Sequence, residues 1–134
     1  MHLVDTNVLA DVARLDPVWA EWSSRQLAAH ATTGLAINQI ILAEIAALYD
    51  TASQVEEHFP RTVYERLDLP WEAAFVTSRA FLKYRESGGS RTSPMPDFYI
   101  GAHALVAGLP LITRQATRYR TYFPDIQLIA PDTA

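Results

Sequence analysis

Cysteine is missing from all 134 residues. Disulfides and thiolate zinc sites are therefore excluded, and a reducing compartment is permitted. Lysine is almost missing too. Lys83 is the only one, and the other ten basic residues are arginine. No apolar run approaches the roughly 20 residues of a membrane span. The start, Met1-His2-Leu3-Val4-Asp5, has no basic region leading into an apolar one, so no secretory signal is read there and a cytoplasmic location is expected. A glycine-rich phosphate loop is absent, because Gly88-Gly89 falls between two predicted helices and not between a strand and a helix. His2, His30, His58 and His103 show no ligand spacing, and no Ser-His-Asp arrangement is indicated.

What is present has the composition of one globular domain, with 49% hydrophobic and 19% charged residues. A single domain over 1–134 is expected. The net charge of -4 argues weakly against a general nucleic-acid binder. Acids committed to a metal would make that sign misleading, and Arg114, Arg118 and Arg120 form a local basic cluster.

Strands and helices alternate in the pattern. His2–Asp5 reads as a strand and Thr6–Arg14 as a helix. Asp16-Pro17 restarts a helix, Val18–His30, which breaks at Thr32-Thr33-Gly34. Leu35–Ile37 is a short buried strand, and Asn38 caps a helix over Gln39–Tyr49. A helical piece follows at Ser53–His58. Tyr64–Leu69 alternates like a strand, and Pro70-Trp71 opens a helix running through Glu86. After the loop 87–93, Pro96-Asp97 starts a helix that ends at Gly108. Leu111–Thr113 and Gln127–Ile129 are the last strands, separated by a short helix or turn over Gln115–Tyr122. Strands separated by helices predict parallel pairing and an α/β fold.

Three acids stand out. Asp5 ends the first strand, at the sheet edge where α/β proteins bind ligands, although Asp, Thr and Asn there also cap helices. Glu44 lies in Ile40-Ile41-Leu42-Ala43-Glu44-Ile45-Ala46-Ala47-Leu48. That helix is apolar around most of its circumference, so a partly buried carboxylate is expected, needing a partner or a cation. The plainer alternative is a boundary position reaching solvent or an arginine. Asp97 opens a helix behind two prolines, which suits a ligand and suits an N-terminal cap equally. Carboxylate oxygens without cysteine or a histidine in register favour Mg²⁺ or Mn²⁺ over zinc.

The ordered set Leu3-Val4-Asp5-Thr6-Asn7-Val8-Leu9, Glu44, Pro96-Asp97-Phe98-Tyr99-Ile100-Gly101-Ala102-His103-Ala104 and Leu111-Ile112-Thr113-Arg114 resembles the PIN-domain family. More narrowly it resembles VapC-type toxins of type II toxin–antitoxin pairs, from Met1 to about Pro131. The resemblance implies a three-layer α/β/α domain on a five-stranded parallel sheet. It implies a Mg²⁺- or Mn²⁺-dependent endoribonuclease that hydrolyses single-stranded or loop RNA such as tRNA or rRNA. Asp5, Glu44 and Asp97 match the family's metal-binding, catalytic acids, and Asn7 and Thr113 match polar positions beside them. Arg114, Arg118 and Arg120, with Tyr119 and Tyr122, are placed at the rim as RNA contacts. A homodimer is implied, along with a cognate VapB-type antitoxin that blocks the cleft and supplies the DNA binding. One position departs from the pattern: Gln115 stands where such proteins commonly carry a fourth acid. A catalytically weak or inactive module that binds RNA or protein is the alternative this raises.

Other residues receive structural readings. His103 is expected to be a packing or hydrogen-bonding histidine. Trp19, Trp22, Trp71 and Phe75 are read as core or interface. Asp11 is read as a solvated helix residue and Asp16 as an N-cap. A phosphotransfer-type α/β domain would need a lysine ending a later strand, and Lys83 is predicted mid-helix.

Overall fold

The fold is set by how short, apolar strands feed helices. In the computed structural model, which describes residues 1–131, five strands pair in parallel in the order β3-β2-β1-β4-β5. The strands are β1 (His2–Val4), β2 (Leu35–Ile37), β3 (Tyr64–Arg66), β4 (Leu111–Ile112) and β5 (Leu128–Ile129). Among the described residues they alternate with α1 (Thr6–Ala13), α2 (Ala20–His30), α3 (Gln39–Ala46), α4 (Ala52–His58), α5 (Ala73–Glu86), α6 (Pro96–Ala107) and α7 (Thr117–Tyr122).

The central strands carry no polar face. Leu3 lies opposite Ala36 on one side and Leu111 on the other, and Val4 lies opposite Ile112. All five side chains are completely buried, as expected where helices cover both faces of a parallel sheet. α1 packs on α2, α5 on α6, and α3 touches both α1 and α6.

The strand order creates a switch point. The chain steps outward from β1 to β2 and β3, then returns to place β4 on the other flank of β1. The connections leaving β1 and β4 therefore diverge at their carboxyl ends. Such a crevice is where open α/β sheets bind ligands.

Several boundaries differ from the sequence pattern for local reasons. The alternating segment expected to run to Leu69 pairs only over Tyr64–Arg66. Leu67 N–H still donates to Ile37 O, but β2 ends there because Asn38 turns away to cap α3 through Ile41 N–H. α3 stops at Ala46, short of Tyr49, because Ala47, Leu48 and Tyr49 switch to bonds three residues back, a tightening common at helix ends. Asp16 caps as expected, accepting from Val18 N–H and Trp19 N–H, but the α-helix proper begins only at Ala20. At Gly101, a Cβ would stand 2.6 Å from Cδ2 of Phe123. This glycine lets α6 and the end of α7 approach closely.

Candidate metal centre

Asp5 leaves β1 at the switch point, and its backbone N–H is tied to Ile112 O of β4. Its two oxygens are treated differently. Among the described residues Oδ1 accepts only the N–H of Thr6, at 2.8 Å. Oδ2 accepts the Thr113 hydroxyl at 2.8 Å, the Tyr119 phenol at 2.9 Å and the Asn7 amide at 3.2 Å. The cap expected of Asp5 is real, since it is the N-cap of α1, but it engages only one oxygen. The other is gathered up by residues far away in sequence. Burial pushes the Asp5 carboxyl up to about 6, against the pull of its hydrogen bonds, and Asp97 adds a smaller push in the same direction.

Asp97 sits in the first turn of α6, whose start carries no side-chain capping bond. Its Oδ2 accepts from Arg118 at 2.9 Å. Its Oδ1 is buried and has no hydrogen-bond partner among the described residues. A buried carboxylate oxygen without a donor is rare enough to require a reason, and a helix cap is not the reason here. Glu44 corrects the sequence expectation. It is exposed, not partly buried, because α3 buries Ile41 and Ile45 on its inner face and turns Glu44 toward the open cleft. There it accepts the Thr6 hydroxyl at 2.7 Å, one residue from Asp5.

Asp5, Glu44 and Asp97 line one open cleft of about 1080 Å³. The Tyr119 phenol registers all three. It is held well above its ordinary range, first by burial and then by the charges of Asp5, Asp97 and Glu44. It is therefore a permanent donor to Asp5. Among the described residues no three acidic or histidine side chains close into a finished ligand set. The donor chemistry nonetheless fits a hard divalent cation: oxygen donors only, one of them orphaned, and two carboxylates whose charges oppose each other.

Asn7, Thr113 and Gln115 lie around Asp5 and the cleft. Asn7 bridges the site, donating also to Thr113 Oγ1 at 3.3 Å and accepting from Arg114 N–H at 3.2 Å. Gln115 is exposed on the cleft wall, and its N–H donates to Thr113 Oγ1. The arginines separate. Arg114 and Arg118 line the cleft and Arg120 does not. His103 is buried against Asn38 at 2.9 Å, and burial lowers its pKa, so its reading as a structural histidine holds.

Two sequence readings are overturned. Asp11 is 2% exposed and not solvated: it accepts Arg114 Nε at 2.7 Å and the Ser23 hydroxyl at 2.8 Å. Tyr119 is not at the rim but beneath Asp5, 2% exposed. Of the aromatics read as core or interface, Trp71 and Phe75 are 91% and 65% exposed, so only the interface half of that reading stays open for them. The signals for the first two were readable. Asp11 follows the buried Val8 by three residues, on the inward face of α1. Ala116, Tyr119 and Phe123 form an apolar stripe at helical spacing, and a tyrosine on such a stripe needs a partner for its hydroxyl.

Comparison with known proteins bears on the fold. The sequence model of the PIN domain matches residues 2–123. The chain belongs to the PIN-domain family. The five-stranded parallel α/β fold expected from the resemblance is the one observed. No curated protein matches the sequence. Among solved structures, this PIN domain is similar to a chain of VapBC2 from Rickettsia felis bound to a promoter DNA fragment, with a TM-score of 0.74 at 18% identity over 98% of both chains. It is also similar to chains of FitAcB from Neisseria gonorrhoeae (TM-score 0.70, 20% identity, 96% of both chains) and of DNA-bound VapBC from Salmonella typhimurium (TM-score 0.70, 19% identity, 96% of both chains). At these identities the likeness speaks for the fold. No helix of the described residues is long and apolar enough to cross a membrane.

Proposed function

We propose that this PIN domain is a VapC-type toxin, a metal-dependent endoribonuclease that hydrolyses phosphodiesters of single-stranded or loop RNA, tRNA and rRNA included. The observation that carries the reading is the convergence of Asp5, Glu44 and Asp97 on one cleft at the switch point, with Asp97 Oδ1 buried and unpartnered. Asp5, Asp97 and Glu44 would hold Mg²⁺ or Mn²⁺. When bound, the ion would supply charge for a phosphate oxygen and acidify an attacking water.

The chain's own groups do the rest. Thr113, Tyr119 and Asn7 fix Asp5 so that Oδ1 is its less encumbered oxygen. Thr6 orients Glu44 beside it. Arg118 balances Asp97 and stands ready, with Arg114, for a phosphate; Arg120 would act further out. The fold likeness to chains of VapBC and FitAcB complexes supports a VapB-type antitoxin as partner; in this reading the toxin is a homodimer. DNA contacts would then belong to the antitoxin.

Gln115 favours a second reading. A neutral amide replaces charge on the cleft wall, so the domain would bind RNA or a protein without cutting. One assay separates the two. Purified chain is incubated with total RNA and Mg²⁺ or Mn²⁺, beside Asp5→Ala, Asp97→Ala and EDTA controls. Cleavage by the wild type that all three controls abolish is expected. Cleavage that persists in them would sink the metal mechanism, and RNA binding without cleavage would establish the second reading.

A further inference from the structure

Arg114 is held in an unusual way for an arginine that neutralises a buried acid. Its Nε alone contacts Asp11, at 2.9 Å from Oδ1 and 2.7 Å from Oδ2. An arginine serving only that acid would use its two-pronged edge, which matches a carboxylate best. Here the fork is unspent: among the described residues the terminal nitrogens make no hydrogen bond, and the residue lines the cleft. Asp11 is itself locked by Ser23, so the guanidinium cannot swing freely. Its central carbon lies over one face of the Trp19 ring, 5.9 Å from the ring centroid. Trp19 lines the same cleft and is only half-buried. Arg14 also lines the cleft and adds a positive charge to it.

We infer that Trp19 and Arg114 form a nucleotide subsite of the cleft, in which Arg114 receives an RNA phosphate and Trp19 stacks on the adjoining base; this rests on the ribonuclease reading above. The subsite abuts the acids. Arg114 follows Thr113, whose hydroxyl bonds Asp5, and its own N–H bonds Asn7. It has different partners from Arg118, which is engaged with Asp97 and lies over the Tyr84 and Phe98 rings at 5.9 and 5.7 Å. A pinned fork beside an aromatic face is the combination that single-stranded nucleic acids bind: charge for the backbone and a ring for the base. Asp11 becomes a positioning residue that aims the fork.

The test measures binding of a short fluorescein-labelled single-stranded oligoribonucleotide to the full chain by anisotropy. EDTA is present throughout so that nothing is cut, and salt is varied from about 50 to 200 mM. Trp19→Ala should weaken binding about tenfold and leave the salt dependence unchanged, as loss of stacking does. Arg114→Lys keeps a cation for Asp11, so the protein should fold, but it leaves no second edge for a phosphate. It should weaken binding and make the slope of log K against log salt shallower by about 0.7, the loss of one phosphate contact on a single strand. Trp71→Ala, outside the cleft, is the control and should bind like wild type. If wild type binds the RNA and both cleft variants bind equally well, the subsite is wrong and the ribonuclease reading survives. If wild type cleaves RNA through Asp5 yet competes only with an acidic peptide at Trp19, the occupant is wrong. If wild type neither binds nor cuts RNA, both readings fall together.

Discussion

Asp5 does two jobs with two oxygens. Oδ1 closes the first turn of α1, and Oδ2 takes three donors from Asn7, Thr113 and Tyr119. Tyr119 is the most informative of these, because its hydroxyl is buried and has the carboxylate as its partner. A hydrogen bond to a charged group contributes about 1.5–3 kcal/mol, and a neutral one about half that. Tyr119→Phe should therefore cost about 1.5–3 kcal/mol at pH 8, where Asp5 is ionised. The loss should be clearly smaller at pH 4.5, where the carboxyl, raised to about 6, is protonated. Urea unfolding at the two pH values measures it, and an equal loss at both would mean that the hydroxyl merely fills space. Asp5, Glu44 and Asp97 could be picked out as candidates because an acid at a strand end, on an apolar helix and at a helix start each asks for a reason, and the structure brings all three to one cleft. How each is held was not legible. Thr6 finds Glu44 38 residues away and Tyr119 finds Asp5 114 residues away, and no local pattern encodes such a pairing.

Elements were easier to read than their ends. The alternation of short apolar runs with helical ones was enough for a parallel sheet, because parallel strands require crossovers. The ends depended on neighbours: β3 is short because β2 is, and β2 is short because Asn38 caps α3. The meeting of α6 and α7 was invisible for a related reason. Gly101 reads as an ordinary helix glycine until Phe123 is found against it. Gly101→Ala would gain about 1 kcal/mol in helix propensity. It would also drive a methyl to within 2.6 Å of the Phe123 ring, and overpacking of this kind costs about 1–3 kcal/mol. A net destabilisation of about 1–2 kcal/mol is expected, because the methyl meets an aromatic ring and not a pliable chain end. Phe123 directly follows α7, the helix that carries both Tyr119 and Arg118, so its displacement should disturb the site as well. Adding Phe123→Leu should recover part of the loss, and thermal melts of both singles and the double measure the coupling. Strict additivity would show that the two side chains do not meet.

At the scale of the whole molecule, the site is a source of instability that a cation would remove. The Asp5 carboxyl has an ordinary value of 3.8 and is raised to about 6 on folding, chiefly by burial and further by Asp97. The folded protein thus holds this proton more tightly than the unfolded chain. The stability it contributes is fully present below about pH 3.8 and is lost as pH rises through about 6. The full difference is about 3 kcal/mol, at roughly 1.4 kcal/mol per pH unit. Other groups also titrate, so the clean quantity is the difference between wild type and Asp5→Asn. The amide must turn its oxygen to the three donors on the Oδ2 side and its NH₂ toward the Thr6 N–H, which costs something at every pH. Against that constant, Asp5→Asn should gain on wild type from about pH 4 to about pH 6 and then level off up to pH 8. A divalent ion should then reverse the order. Mn²⁺ at about 100 times its Kd would stabilise a protein that binds it by about 2.7 kcal/mol, and only the chain with Asp5 ionised offers the full site. Melting temperatures at pH 8 should rise with Mn²⁺ in wild type, stay fixed in Asp5→Asn and fall back on adding EDTA, with a much smaller rise at pH 5. A variant advantage that ignores pH would show that Asp5 is not strained by its burial. An equal response of both proteins to Mn²⁺ would place the ion somewhere other than this cleft.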